Sequence, residues 1–139
     1  MADNYGQSTS SFAHDALVAG SGQDQVTQSA TLVSGTVALT RGALLGQITA
    51  TGKYTVYAGG AGDGSEDASA ILADTTDASG GDKVTTIYLA GEFNEKVVSD
   101  NSGAVAANGY STRSAAQQTA IKLRLQALGI ILKQNMRVA

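Results

Sequence analysis

The sequence predicts a β-rich α/β fold, in which a compact domain of short strands carries a C-terminal helix and follows a flexible N-terminal arm. Short runs of β-branched and aromatic residues are bounded by Gly, Asn, Asp and Ser, which is typical of strands. One longer run near the end of the chain has the apolar periodicity of a helix. The first part of the chain, residues 1–30, holds few apolar side chains.

Chain length and composition bound the possible functions. The 139 residues fit one domain, because domains usually hold about 100–200 residues. No apolar stretch approaches the roughly eighteen residues that a membrane-spanning helix needs, and the N-terminus lacks the basic and apolar regions of a signal peptide. We therefore expect a soluble protein that is made inside the cell and has no membrane partner. Because the chain has no Cys, it can form neither disulfides nor thiolate metal sites.

Charge is distributed unevenly along the chain. Residues 1–100 hold all twelve acidic residues and four basic ones, for a formal charge of −8, whereas the last 39 residues hold five basic residues and no acidic one, for +5. Such asymmetry can indicate nucleic-acid binding. Here the basic residues are dispersed and Tyr110 is the one aromatic residue near them, so they make a poor platform for a nucleic-acid strand. We therefore predict that nucleic acid is not a partner.

Residues 1–30 are predicted to form the flexible arm, and residues 31–139 the single β-rich domain. The arm includes the sequence VAGSGQDQ, whose glycines and small polar residues leave the backbone unconstrained. A segment with so few apolar residues cannot bury enough surface to order itself. Its apolar side chains, Phe12, Leu17 and Val18, would gain order by lying along another surface.

The first strands are predicted from Thr31 onward. The sequence TVALT alternates apolar and polar residues. Further along, the runs Leu45–Thr49 and Tyr54–Tyr57 flank a Thr-Gly pair, and Gly52 can supply the positive φ that a tight turn requires. These two runs are therefore predicted to pair as a β-hairpin.

The stretch ILADTTDASGGDKVTTIYLAGEFN, residues 71–94, raises the question of an ion site, because it contains Asp74, Asp77 and Asp82. A calcium loop of the EF-hand type needs oxygen ligands at alternate positions and a distal glutamate. These aspartates are spaced three and five apart, and no such glutamate follows. The stretch instead predicts a strand, a turn and a second strand, with Asx-turn chemistry at Asp77.

The clearest helix is predicted to begin after Ser114 and to end at Gly129. Ser114 and Gln117 have the spacing of a capping box, and a glycine often ends a helix in the left-handed conformation. One apolar stripe of this helix consists of Ala116, Ala120, Leu123 and Ala127, and the other of Ile121, Leu125 and Leu128. The two stripes form either one wide core face or one core face and one contact with a neighbouring subunit. The sequence IILK then predicts a last strand.

No residues make a convincing catalytic, cofactor or metal site. The single histidine, His14, lies in the polar arm. Glu92 and Glu95 could be a carboxylate pair, but the chain has few aromatic residues to line a substrate cleft. The loop AGGAGDGSEDAS lacks the lysine that a phosphate-binding loop places after the position of Gly64. We therefore predict that the protein is not an enzyme and has no cofactor and no metal.

Four segments, read in order, resemble the head decoration proteins of tailed bacteriophages, the group that includes the lambda capsid-stabilising protein D. They are RGALLGQITATGKY, DGSEDASAILADTTDASGGDK, VTTIYLAGEFN and LRLQALGIILK. The resemblance runs from about Arg41 to Lys133. The chain departs from the pattern in having no proline and in Ala70, where a glycine often precedes the Ile-Leu pair.

The resemblance implies a decoration-protein domain that forms a homotrimer at the three-fold and quasi-three-fold positions of an icosahedral phage head. There it would act as a structural cement on the outer surface of the virion, binding the major capsid protein and stabilising the expanded shell after synthesis in the host cytoplasm. It also implies an arm that contacts the capsid. The candidates for this contact are Phe12, Asp15, Leu17 and Val18, and those for the trimer contact are Ile121, Leu125 and Leu128.

Two other functions remain open at this point. One is a small β-rich binding module, for example a carbohydrate- or calcium-binding appendage. The other is a different virion appendage, such as a head-fibre or tail subunit. Neither class has a catalytic signature by which the sequence would separate it from a decoration protein.

Overall fold

The computed structural model describes residues 17–20, 24–102 and 113–134. Within these ranges, eight strands and two helices follow one another. In chain order they are β1 (Val26–Leu32), β2 (Thr36–Leu39), β3 (Leu44–Gln47), β4 (Tyr54–Val56), β5 (Ala68–Leu72), β6 (Thr76–Ala78), β7 (Lys83–Asn94), α1 (Glu95–Ser102), α2 (Ala115–Leu128) and β8 (Ile130–Lys133). The predicted β-rich fold with a C-terminal helix is confirmed. Of the described helices, neither is long and apolar enough to span a membrane.

The main sheet closes on itself. Its strand order is β1-β4-β3-β5-β7-β8, and β1 also pairs antiparallel with β7. This ladder runs from Val26 opposite Ala90 to Leu32 opposite Lys83, and Leu32 also meets Tyr54 where β1 and β4 pair in parallel. Five strands therefore enclose a small barrel. Strand β8 extends the sheet in parallel beside the last part of β7, while β2 and β6 form a separate two-stranded sheet.

Two clusters of buried apolar side chains lie on opposite faces of the central strands. The barrel cluster consists of Leu32, Leu39, Ala43, Leu45, Tyr54, Ala70, Leu72, Ala78 and Ile87. The helix cluster consists of Leu17, Leu44, Tyr57, Ala68, Ile71, Ala73, Tyr88, Phe93, Val98, Ile121, Leu125 and Ile130. Successive side chains of a strand point to opposite faces, so Leu44 and Leu45 enter different clusters. A strand that is buried on both faces has apolar residues at consecutive positions. This explains the apolar runs ALL at residues 43–45 and AIL at residues 70–72.

The folded domain begins earlier than the sequence predicts. Strand β1 starts at Val26, inside the range 1–30 that was assigned to the arm. Leu17 is 1% exposed and belongs to the helix cluster, and Val18 bridges to Phe93 on β7. The predicted boundary after residue 30 therefore needs correction for residues 17–20 and 24–30. The rest of the predicted arm, residues 1–16 and 21–23, lies outside the described residues.

The predicted hairpin is confirmed. Strands β3 and β4 pair antiparallel, with Leu45 opposite Val56 and Gln47 opposite Tyr54. Gly52 has a φ of +72° in the connecting turn, and the side-chain amide of Gln47 donates a hydrogen bond to the carbonyl of Gly52 at 3.0 Å.

The stretch with the three aspartates forms strands and turns, as predicted, with β6 as an additional element. The Asp77 carboxylate accepts a hydrogen bond from the backbone N–H of Ser79 at 2.9 Å, which is the expected Asx turn. Gly80 and Gly81 do not have a positive φ, and a Cβ on either would meet open space. This turn therefore depends on the aspartate and not on glycine geometry.

Asp82 has a structural role that the sequence analysis did not identify. Its carboxylate accepts a hydrogen bond from the backbone N–H of Ser34 at 2.7 Å and pairs with the Lys53 ammonium group. It thereby joins the turn before β7 to the turn after β1 and to the β3–β4 hairpin. Over the described residues, no group of three His, Cys, Asp or Glu side chains is placed to share a metal ion.

We predict that Asp82→Asn lowers the melting temperature at neutral pH. The hydrogen bond from Lys53, followed by the one from the N–H of Ser34, lowers the pKa of Asp82 from its usual value of 3.8. A carboxyl with a lowered pKa in the folded state stabilises the protein above its usual pKa, and this contribution is lost as the pH falls through the folded-state value. Thermal melts from neutral pH to below 3.8 should therefore show a shallower acid dependence in Asp82→Asn than in the wild type.

Asp74→Asn is the matched control for this experiment, because the Asp74 side chain is exposed on the same stretch. Its melting temperature should follow the wild type at every pH. Equal acid dependence in the wild type and in Asp82→Asn would contradict the proposed role of Asp82.

Candidate interaction surfaces

Helix α2 is the element in which the sequence placed the contact between copies. The Ser114 hydroxyl accepts a hydrogen bond from the backbone N–H of Gln117, and the Gln117 side chain accepts one from the backbone N–H of Ser114. The predicted capping box is therefore present. The helix ends at Gly129, which has a φ of +97°. These terminal bonds satisfy backbone groups that a helix otherwise leaves open, so the predicted helix bounds are confirmed.

The structure buries two of the three side chains that were candidates for the trimer contact. Ile121 is 9% exposed and Leu125 fully buried, and both belong to the helix cluster. They are therefore unavailable for the trimer contact that was predicted for them. Leu128, the third candidate, is 48% exposed. The other apolar stripe, which includes Leu123, faces outward. Leu123 is 61% exposed.

We call this outward stripe the α2 stripe. It consists of Ala116, Ala120, Leu123 and Ala127, all of which are exposed. None of its four side chains is charged, so the α2 stripe is an apolar strip along the surface of the domain. Single exposed apolar residues are ordinary, and Leu123 is the one long apolar side chain of this stripe.

Two ion pairs fix the rotation of the C-terminal segment. The Lys122 ammonium lies 3.2 Å from Glu95 Oε1 at the start of α1, and the Lys133 ammonium lies 2.8 Å from Glu92 Oε1 on β7. Both glutamates are 8% exposed, whereas the side chains of Lys122 and Lys133 are 27% and 42% exposed, so these contacts lie at the edge of the core. Lys122 thus points toward the body of the domain, and the α2 stripe faces outward.

Two arginines make further contacts between this segment and the body. Arg113 donates a hydrogen bond to the carbonyl of Gly59 at 2.9 Å, and its guanidinium lies 6.0 Å from the centre of the Tyr57 ring. Arg124 lies 3.5 Å from Asp67, and both side chains are about half exposed. Of the described basic residues among the last 39, Lys122, Arg124 and Lys133 thus pair with acidic side chains of the same chain, whereas Arg113 contacts Tyr57 and Gly59.

An open cavity of about 310 Å³ lies between the start of α2 and the loop before β5, with Tyr57, Glu66 and Arg113 in its lining. The Glu66 carboxylate accepts the backbone N–H groups of Gly62 at 3.1 Å and Gly64 at 2.8 Å. Hydrogen bonds from backbone N–H groups lower the pKa of Glu66 from its usual 4.5. The largest effect comes from the N–H of Glu66 itself, followed by those of Gly64 and Gly62. Its carboxylate is therefore ionised at neutral pH and holds its own loop in place.

The candidate capsid contacts are only partly described. Phe12 and Asp15 lie outside the described residues. Leu17 is buried in the helix cluster, which corrects its prediction as a contact residue, and Val18 is partly buried beside Phe93. No local pattern distinguishes Leu17 from the other apolar residues of the polar N-terminal segment, so its burial could not be read from the sequence.

Two more exposed apolar residues lie on the β1–β7 ladder. Val84 is 74% exposed and pairs with Thr31, whereas Val26 is 48% exposed and pairs with Ala90 at the other end of the ladder. The two valines are separated by the length of β1, so they do not form one patch with each other. The α2 stripe is the more continuous apolar surface in the described part of the chain.

Comparison with known families gives one match that covers most of the chain. A family model described as bacteriophage lambda head decoration protein D matches residues 7–130. The match includes the first three resembling segments and the first eight residues of the fourth, and it also extends over residues before β1. No curated protein matches the chain.

We predict that Leu125→Ala and Leu123→Ala differ sharply in stability. Leu125→Ala removes a fully buried side chain and should lower the free energy of unfolding by about 2–5 kcal/mol, because a buried Leu→Ala change loses transfer energy and leaves a cavity. Leu123→Ala removes an exposed side chain and should change it by less than about 0.5 kcal/mol. Denaturant titration of both variants measures this, and equal losses would contradict the orientation of α2.

Proposed function

Because the chain belongs to the bacteriophage head decoration protein family, we propose that it binds the outer surface of a phage head as trimers and stabilises the expanded shell. The family is one of structural capsid proteins and is not a known enzyme family. The observation that carries the proposal is the match over residues 7–130, which spans the described fold up to the start of β8 and part of the segment before it.

The segment before Leu17 is the proposed capsid-binding arm. Its root is held firmly, because the N–H of Asn94 donates to the carbonyl of Leu17 at 2.7 Å and the N–H of Ala19 donates to the carbonyl of Glu92 at 2.9 Å. The buried Leu17 side chain adds an apolar anchor. The arm therefore leaves the domain at a fixed place beside the end of β7.

The arm is proposed to bind the major capsid protein by adding a strand to one of its sheet edges. In this mode, main-chain hydrogen bonds give affinity and alternate side chains fill pockets. Phe12 would be the principal apolar side chain of the arm. Ordering each residue costs about 1–2 kcal/mol of backbone entropy, so only the contacted part of the arm gains order. Three arms on one trimer bind at high effective concentration, which offsets this cost.

Binding of this kind stabilises the shell through linkage. A ligand that binds the assembled state and not the separated subunits shifts the equilibrium toward assembly. A trimer whose arms contact different capsid subunits satisfies this condition, because the three contacts are available together only on the intact expanded shell. We therefore propose that the protein acts mechanically, as a cement, with the arms carrying most of the binding energy.

We predict that deletion of residues 1–16 separates binding from folding. The truncated chain keeps Leu17 and its backbone bonds, so its circular dichroism spectrum and melting temperature should match those of the full chain. Its affinity for expanded capsids should fall at least about tenfold, which corresponds to about 1.4 kcal/mol. Sedimentation of capsids with bound protein, over a range of protein concentrations, measures the affinity.

Deletion of residues 1–20 is the matched comparison, because it also removes Leu17. This longer deletion should lower the melting temperature of the domain itself. If the deletion of residues 1–16 binds expanded capsids as tightly as the full chain, the arm is not the binding element and the folded surface must carry the contact.

A further inference from the structure

We propose that residues 17–20 form a strap that holds the C-terminal segment, α2 and β8, on the domain, so that the two ends of the described fold open together. The residues that link them are Gly20 in the strap, Glu92 on β7 and Lys133 on β8. The inference goes beyond the proposed function, because it concerns a conformational linkage within one chain that can be measured without a capsid.

The strap and β8 lie on opposite edges of the last part of β7. On one edge, the N–H of Ala19 donates a hydrogen bond to the carbonyl of Glu92 at 2.9 Å. On the other edge, the N–H of Gly91 donates to the carbonyl of Gly129 at 3.0 Å, and β8 continues in parallel from there. Successive residues of a strand direct their backbone groups to opposite edges. The β7 backbone therefore separates the strap from β8, and a contact between them passes over a face of the sheet.

The Lys133 side chain makes this contact. Lys133 lies opposite Asn94 in the register of β7 and β8, and its ammonium reaches back to Glu92, 2.8 Å from Oε1. The strap lies against the same two charged groups. A Cβ placed on Gly20 would overlap Glu92 Oε2 and would lie 3.2 Å from Lys133 Nζ. The strap therefore covers the ion pair at a distance that glycine allows and a larger residue does not.

The cover over the ion pair is what couples the strap to β8. Glu92 is 8% exposed, and the Gly20 backbone occupies space beside its carboxylate that water would fill if the strap opened. The attraction between two charges weakens when water replaces protein around them. Opening of the strap therefore weakens the link between β8 and β7. Because such coupling is reciprocal, detachment of β8 also loosens the strap.

The apolar side chain of the strap adds to this coupling. Leu17 is 1% exposed and belongs to the helix cluster, which also contains Ile130 of β8 and both Ile121 and Leu125 of α2. A close-packed core loses contacts when one member leaves it. Since Leu17 and Gly20 belong to one short segment, release of the strap uncovers the ion pair and depletes the helix cluster together.

The barrel is expected to remain closed when the strap and the C-terminal segment open. Among the described residues, the barrel cluster contains no member from the strap, α2 or β8. It does contain Leu45 and Tyr54 of the β3–β4 hairpin. Proteins open locally in cooperative units whose stabilities differ. The strap and the C-terminal segment therefore form one such unit, and the hairpin belongs to another.

Residue-resolved hydrogen exchange of the full chain tests this linkage, with Gly20→Ala as the first variant. Gly20 does not have a positive φ, so alanine adds a methyl group without straining the backbone. Because the neighbours of this methyl group are the ends of flexible side chains, the Glu92 carboxylate moves aside and its pair with Lys133 is lost. The amides of β8 should exchange at least about fivefold faster than in the wild type, while those of the hairpin keep their rates.

Gly80→Ala is the matched control, because a Cβ at Gly80 meets open space and its φ is not positive. Its exchange rates should equal those of the wild type in both regions. If Gly20→Ala accelerates exchange in the strap alone, β8 is not linked to it. If it accelerates exchange equally throughout the domain, the effect is a general loss of stability. Either result overturns the proposal.

Lys133→Met tests the same linkage from the other end, independently of Gly20→Ala. It removes the ammonium and keeps an apolar stem, so the amide of Ala19 on the far edge of β7 should exchange at least about threefold faster. Gly20→Ala added to this variant should have little further effect on β8, because the ion pair is already absent and coupled changes are not additive. An unchanged rate at Ala19, or additive effects on β8, would overturn the proposal.

Discussion

Strand β7 pairs with more of the structure than any other described element does, and the rest of the fold depends on its twelve-residue length. Its first part pairs with β1 and β5 and so closes the barrel, while its last part carries β8 on one side and Val18 on the other. The strand lies between the two apolar clusters, since Ile87 belongs to one and Tyr88 to the other. The barrel, the helix layer and the described residues 17–20 are consequently positioned by one continuous segment of backbone.

The charge asymmetry has a related consequence for how the C-terminal segment is attached. Three of its described basic residues pair with carboxylates of the body: Lys122 with Glu95, Lys133 with Glu92 and Arg124 with Asp67. These pairs therefore favour one rotation of α2 about its axis over alternatives in which a different stripe faces the core. The outward position of Leu123 follows from that choice.

The sequence predicted the elements whose signals are local. The hairpin around Gly52 and the helix from Ser114 to Gly129 follow from turn and capping residues that act within a few positions. Strand β1 escaped prediction because its residues are largely exposed and polar, so no apolar period marks it, and it forms through its long ladder with β7. The helical period revealed two stripes on α2 but could not tell which faces the core, because distant residues such as Glu95 decide it.

The burial of Leu17 also fixes the point at which the segment before it joins the domain. The N–H of Asn94 donates a hydrogen bond to the carbonyl of Leu17, so this point is held beside the end of β7. A force applied to the chain before Leu17 is therefore transmitted directly to β7, the strand that joins the barrel to the helix layer.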